Sequence, residues 1–171
     1  MRVSRFLALV ATLATLGCGG GGDDDGNPTG PPSGGATNGS FTAQVNGNAW
    51  SATGTITVSR QQNNFIGVAG TGFAGSTAYA FIVGIGNATG PGTHSFNLAA
   101  GGDGSSLIIG SSTTGGAAAG WGTAFNGGSG SVTITSLTSN RIVGTFTATA
   151  ASSSGSGSNL VITNGRFDVT Y

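Results

Sequence analysis

The chain of 171 residues contains no lysine and no glutamate, a single histidine and a single cysteine, and only 6% of it is charged. Each shortage removes a class of function. With one cysteine there is no internal disulfide, so any fold must hold by core packing. One histidine and one cysteine cannot supply the three or four protein ligands of a zinc site. Five arginines spread over the whole chain cannot form the basic stripe that nucleic acid requires, so no nucleic-acid partner is expected. None of the glycine-rich stretches ends in Lys-Ser/Thr and opens a helix, which excludes a phosphate-binding loop. No cofactor and no metal are expected.

Catalysis is equally short of groups. Beyond residue 40 the only carboxylates are Asp103 and Asp168, whereas a paired-carboxylate hydrolase needs two flanking one bond. Asp168 alternates with Phe167 and Val169 and should face solvent, forming a weak surface ion pair with Arg166 on the same strand face. His94 is the only histidine, the residue type most often used as a general acid or base. Serines are abundant, yet no Gly-x-Ser-x-Gly follows a strand and opens a helix. Pro91-Gly92-Thr93-His94 reads as a turn feeding a strand, with Phe96 on the same face, so His94 is expected to be a half-buried structural or rim residue. Gly101 to Ser106 reads as a tight turn, with Asp103 as its one carboxylate. No residue is expected to be catalytic.

What is present is organised in three parts. Arg2 and Arg5 give a positive start, Phe6 to Leu16 is a run of 11 apolar residues and threonines, and Leu16-Gly17-Cys18 closes it. As a helix the run covers roughly 16 Å, about half of a bilayer's hydrocarbon core. That length suits a signal-peptide core, not a permanent span. This start resembles the signal peptide and lipobox of bacterial lipoproteins. The resemblance implies removal of residues 1–17, lipidation of Cys18 with acyl chains such as palmitate, and a place in the cell envelope, expected at the outer membrane. Thr15 stands where lipoproteins most often carry leucine. Each buried methylene contributes about 0.8 kcal/mol, so two or more chains hold a protein firmly.

Residues 18–40 follow as a tether of Gly, Asp and Pro, with nothing aliphatic or aromatic larger than alanine. Such a segment cannot bury enough surface to offset its ordering entropy. As a flexible coil it reaches roughly 25 Å, or roughly 75 Å fully stretched. Asp23-Asp24-Asp25 reads as a solvated acidic patch, since it lacks the mixed ligands and sharp turn of a calcium loop. After loss of residues 1–17, three arginines face five aspartates, a net charge of minus two.

Residues 41–171 are long enough for one domain with a sizeable core. Their pattern is period two, with Ile, Val, Thr and Phe runs separated by Gly, Asn and Ser. An all-β fold is predicted: an antiparallel β-sandwich or flattened barrel of about nine to ten strands. Asn46-Gly47 forms a type I′ hairpin in which Val45 opposes Asn48 and Ala43 opposes Trp50. Tyr79 to Ile85, apolar on both faces, predicts a central strand covered on both sides. Further strands are expected at 55–59, 65–73, 93–98, 106–111, 121–126, 132–137, 141–150 and 159–171.

Two parity mismatches carry information. Val132 and Ile134 can face Ile142 and Phe146 only through a three-residue connection or a bulge. Leu160 and Ile162 differ by one residue from Phe167, Val169 and Tyr171, which calls for a hairpin or, preferably, a bulge at Asn164-Gly165. Trp50, Tyr79, Phe81, Phe146 and Phe167 are the predicted core aromatics. Trp121 is expected in the core too, with an exposed ligand platform as the alternative.

Phe41-Thr-Ala-Gln-Val-Asn-Gly-Asn-Ala-Trp50, Gly144-Thr-Phe146 and Ile162-Thr-Asn-Gly-Arg-Phe167 together resemble a family of uncharacterised bacterial lipoprotein domains. The resemblance implies an all-β domain behind a lipobox and linker, and it transfers no catalytic or binding residue. The function expected is therefore a non-enzymatic, lipid-anchored envelope protein with a structural, adhesive or interaction role. The alternatives are a carbohydrate- or small-ligand-binding module using loops at one end of the fold, and a hydrolase using His94. The membrane is the one partner expected through the lipid; a protein or glycan partner is not specified.

Overall fold

The computed structural model describes residues 38–96, 103–113, 116 and 118–171. Cys18, the expected signal peptide, the acidic run and nearly all of the tether lie outside them, as do Asn97-Leu98, Gly101-Gly102 and Gly115. Eleven strands fill the described residues, and the one helical element among them is a single 3₁₀ turn at Gln62–Asn64.

Strand β1 (Asn38–Val45) turns at Asn46-Gly47 into β2 (Asn48–Ala52), and both turn residues take positive φ, 48° and 84°. Only a primed turn matches the strands' right-handed twist in so short a loop, and Asn-Gly tolerates it best. The predicted pairs Val45–Asn48 and Ala43–Trp50 are both formed. β3 (Thr57–Gln61), β4 (Phe65–Ala74), β5 (Thr77–Ile85) and β6 (Gly92–Ser95) follow. Then come β7 (Ser106–Ser112), β8 (Ala119–Gly122), β9 (Ser129–Leu137), β10 (Arg141–Ser152) and β11 (Leu160–Thr170). β8 corrects the expectation of a strand at 121–126: it begins earlier and ends at Gly122, and the buried Thr123 after it ties to Leu107, donating its N–H to Leu107 O and accepting from Leu107 N–H at Oγ1.

All pairings are antiparallel, and eight strands close on themselves in the order β1-β2-β4-β5-β7-β8-β10-β11. Closure pairs the backbone groups that an open sheet leaves at its edges. β3 pairs with β4, β9 with β10, and β6 with β9, outside that ring. The flattened barrel and the sandwich are both visible here. Near the C-terminus of β4, residues 72–74 pair with β2, whereas its start, 65–69, pairs with β3. On β10, Ala151 and Ser152 pair with β8, whereas residues 142–149 pair with β9. One end of the molecule is thus a closed barrel, and at the other the wall parts into two sheets.

Both parity mismatches resolve as bulges. The β9–β10 register shifts between Val143 and Gly144, with three residues connecting the strands. β11 runs unbroken through Asn164-Gly165, with Asn164 at φ 53°, and shifts register against both neighbours. The bulge lets Ile162 and Phe167 face the same core.

That core is aromatic. The Phe41 ring meets Trp50, Phe81, Phe146 and Phe167 at centroid distances from 5.1 to 6.4 Å, and Trp50 lies 4.3 Å from Phe81. An eight-stranded barrel is just wide enough for side chains to fill, and these rings fill it. Gly144 pairs with Phe167, and Phe146 with Gly165. A Cβ on Gly144 would come within 2.5 Å of the Phe167 ring, and one on Gly165 within 2.6 Å of Phe146. Each phenyl lies over the bare backbone opposite, which allows the two rings to stack at 6.3 Å. Residues 41–50, 144–146 and 162–167 therefore meet at one point inside the barrel. Trp50 Nε1–H is buried without an acceptor among the described residues, a local cost of about 1–3 kcal/mol.

Two placements differ from expectation. Tyr79 is half-buried and packs on the core's margin instead of within it. β5 is not a layer covered on both sides: Phe81, Val83 and Ile85 point inward, while Ala80 and Ile82 lie half-exposed on the outer wall. Short apolar residues on both faces of a strand do not distinguish a barrel wall from a central strand.

Candidate functional site

His94 and Asp103, nine residues apart in sequence, are brought together. His94 pairs with inward-facing Val132 across β6 and β9 and shares its face with buried Phe96, which places the imidazole at the barrel margin. Its Nδ1 lies 2.5 Å from Asp103 Oδ2, with side-chain exposures of 12% and 24%. An ionised carboxylate can only accept, so Nδ1–H donates. Asp103 Oδ1 accepts a second bond, from Ser105 N–H at 2.9 Å, which closes a turn through Gly104 at φ 86°. Partial burial pushes the Asp103 carboxyl up, but the hydrogen bonds from Ser105 and His94 outweigh it and hold the group below 3.8.

An aspartate that orients imidazole Nδ1 is one half of a Ser-His-Asp triad. The nucleophilic half is not assembled from the serine in the turn. Ser105 is fully buried, and its Oγ accepts Gly86 N–H at 3.0 Å. Among the described residues no serine or threonine hydroxyl is hydrogen-bonded to His94 Nε2, and no three His, Cys, Asp or Glu residues gather as a metal cluster. The pair works as a clasp: it ties β6 to the segment that enters β7.

Asp168 faces solvent as expected, but its partner is Arg141, not Arg166. Arg141 Nε and Nη2 donate to the two carboxylate oxygens at 2.9 and 2.7 Å. Hydrogen bonding to Arg141 holds Asp168 below its ordinary value, and the same contact raises Arg141. The reason is strand order. β10 lies beside β11, so a residue across the ladder reaches Asp168 more directly than one two places along its own strand. Arg60 is also engaged: it donates to Thr138 O at 2.9 Å and lies 5.1 Å from the Tyr171 ring centroid.

Arg166 is left without a carboxylate partner among the described residues. It stands on the outer wall between two contiguous grooves of about 460 and 270 Å³, both of which it lines together with Asn164. Direct ladder partners line up there across seven strands. Thr93, Thr133, Thr145 and Arg166 are followed by Thr42, Ser51 and Phe73. Phe73 is 58% exposed, more than any other large hydrophobic residue among those described. Gln44 Oε1 accepts from Thr163 Oγ1 and Asn164 Nδ2, at 3.1 and 3.0 Å, fastening the bulge of β11 to β1. The bulge sets the boundary between the two grooves, because it turns Thr163 and Asn164 outward in succession.

Sequence reasoning missed this face. Its threonines read only as outward residues of separate strands; which of them align depends on strand order. Trp121, the named alternative for an exposed platform, is half-buried against the core, and its Nε1–H donates to Ser158 O at 3.0 Å. The chain matches no family model, no curated protein and no solved structure.

Proposed function

We propose that this chain is a lipid-anchored protein of the bacterial cell envelope, held at the outer membrane through Cys18, whose β-barrel domain serves a structural, adhesive or interaction role without catalysis. The observation that carries the reading is the order of three parts in the sequence. A short positive-then-apolar leader ends at the one cysteine, an unfoldable tether follows, and an all-β domain comes last. The filled barrel adds support: with five aromatic rings packed at its centre, a partner binds on the outer wall or at the loops. The domain is expected to resemble the uncharacterised lipoprotein family in role as in motif.

Cys18→Ser is the direct test. Wild-type cells fed an alkynyl fatty acid should label the protein and keep it in the membrane fraction. The variant should lose the label and move to the soluble fraction. Labelling that persists in Cys18→Ser removes the assignment.

The second reading, a hydrolase using His94, draws on the Asp103–His94 hydrogen bond. It lacks a nucleophile among the described residues, and Asp103 is held low, which suits it to orienting and not to proton donation. A hydrolase screen on the purified protein separates the readings. Turnover that vanishes in His94→Ala would establish the enzyme.

A further inference from the structure

We propose that the outer-wall groove centred on Arg166 is a binding site for a carboxylated polysaccharide, a polymer of uronic-acid type. The inference rests on the proposed envelope interaction role and gives it a site and a ligand class. It places recognition on the face of the barrel instead of at the loops.

Charge decides the sign of the ligand. Of the three arginines in the described residues, Arg141 is held by Asp168, and Arg60 by Thr138 O and Tyr171. Arg166 is the one among them with neither a carboxylate nor a local acceptor or ring to hold its guanidinium among the described residues, and neither groove is lined by a carboxylate. Its guanidinium presents the planar fork that matches a carboxylate.

The surroundings of that cation decide the rest of the ligand. Around it stand hydroxyls and amides: Thr42, Ser51, Thr145, Gln44 and Asn164. Both donors on Gln44 Nε2 lack a partner among the described residues, because its Oε1 takes the two local bonds. Such groups suit the dense hydroxyls of a sugar. Phe73 ends the row three strand spacings from Arg166, about 14 Å away. A lone exposed phenylalanine is ordinary on a protein surface. At the end of a polar groove it offers the apolar face of a pyranose ring something to cover. The distance corresponds to a short oligosaccharide, with the carboxylate at one end and a ring stacked at the other.

An acidic peptide is the competing macromolecule, and the geometry disfavours it. Extended peptides dock by adding to a sheet edge, whereas these strands have both edges paired and the groove crosses them. One cation is also too few for nucleic acid.

The test uses full-length protein in mild detergent at low ionic strength, titrated calorimetrically with short polygalacturonate oligosaccharides. Methyl-esterified oligosaccharides and poly-L-glutamate serve as comparison ligands. Polygalacturonate should bind, and binding should weaken with added salt. Arg166→Gln should lower the affinity about tenfold, as loss of a charged hydrogen bond does. Phe73→Ser should lower it about threefold, a partial loss of apolar contact. Arg141→Gln, whose charge is already taken, should leave it unchanged. Both groove positions are exposed, and unchanged thermal unfolding of the variants confirms that they fold. No binding of polygalacturonate, equal binding of the esterified form or of poly-L-glutamate, or full affinity in Arg166→Gln overturns the proposal. Such a failure with Cys18 labelling intact removes the glycan site alone; loss of labelling removes the envelope reading on which it rests.

Discussion

The two ends of the barrel are held shut in different ways. At one end the wall closes by backbone ladders: Trp50, Ser51 and Ala52 pair with Ala74, Phe73 and Gly72, and β8 bridges β7 to β10. At the other end β3 and β9 replace β2 and β8 as neighbours of β4 and β10, and the wall opens into two sheets. There the gaps are crossed by side chains. Arg60 on β3 reaches Thr138 O in the β9–β10 turn, with Tyr171 N–H bonded to Asn140 O beside it. His94 on β6 holds Asp103 at the entry to β7. A ladder distributes closure over several bonds that no single side chain controls. A clasp concentrates it in one or two groups that substitution or pH can remove.

The largest effect should come where both ends depend on the same rings. Phe146→Ala removes a phenyl that contacts Phe41 and Phe167 and should cost about 3–5 kcal/mol in denaturant unfolding. A near-neutral result would show that the aromatic centre does not bind the two sheets together. Gly165→Ala tests the same stack from the other side. The added methyl meets the Phe146 ring, so a loss of about 1–3 kcal/mol is expected, and a stabilised variant would contradict the packing.

The clasps should respond locally. Asp103 has a folded-state value below 3.8, so its contribution is complete above the unfolded value and fades as pH falls through the folded one. Stability measured against pH should therefore drop below about pH 4. Asp103→Asn should be weaker than wild type at pH 7 and should show a shallower acid limb. An unchanged limb would mean that the carboxylate gains nothing on folding. Arg60→Ala should have the smallest effect, since its bond is exposed. Hydrogen exchange should rise in β3 while the β2–β4 ladder keeps its protection. Equal loosening at both ends would erase the distinction between clasp and ladder.

Much of this fold was legible in the chain because it is written locally. The Asn46-Gly47 hairpin and the four buried aromatics Trp50, Phe81, Phe146 and Phe167 follow from turn chemistry and alternation. Even the bulges could be read, because side-chain period is two and a parity error within a strand pair calls for a bulge or a change of connection. Errors arose where a residue's neighbour lies on another strand. Asp168 found Arg141, β5 proved to be a wall with one face outward, and β8 ended where Thr123 was needed to cap Leu107. The candidate groove escaped for the same reason: Arg166, Thr42, Ser51 and Phe73 share a row only once β11, β1, β2 and β4 lie side by side.

The sequence by itself determined where most of the strands run, where the tight turns fall, the inward face of the alternating strands and that groups for catalysis are few. These depend on backbone sterics and on the period of the pleat, which act over a handful of residues. Only the tertiary structure decided the order of the strands, the closure of eight of them into a barrel, the parting of its wall at one end, and the meeting of His94 with Asp103. Those choices bring together residues far apart in the chain, and they are made by how five aromatic rings fill a shared interior, a quantity that no local stretch contains.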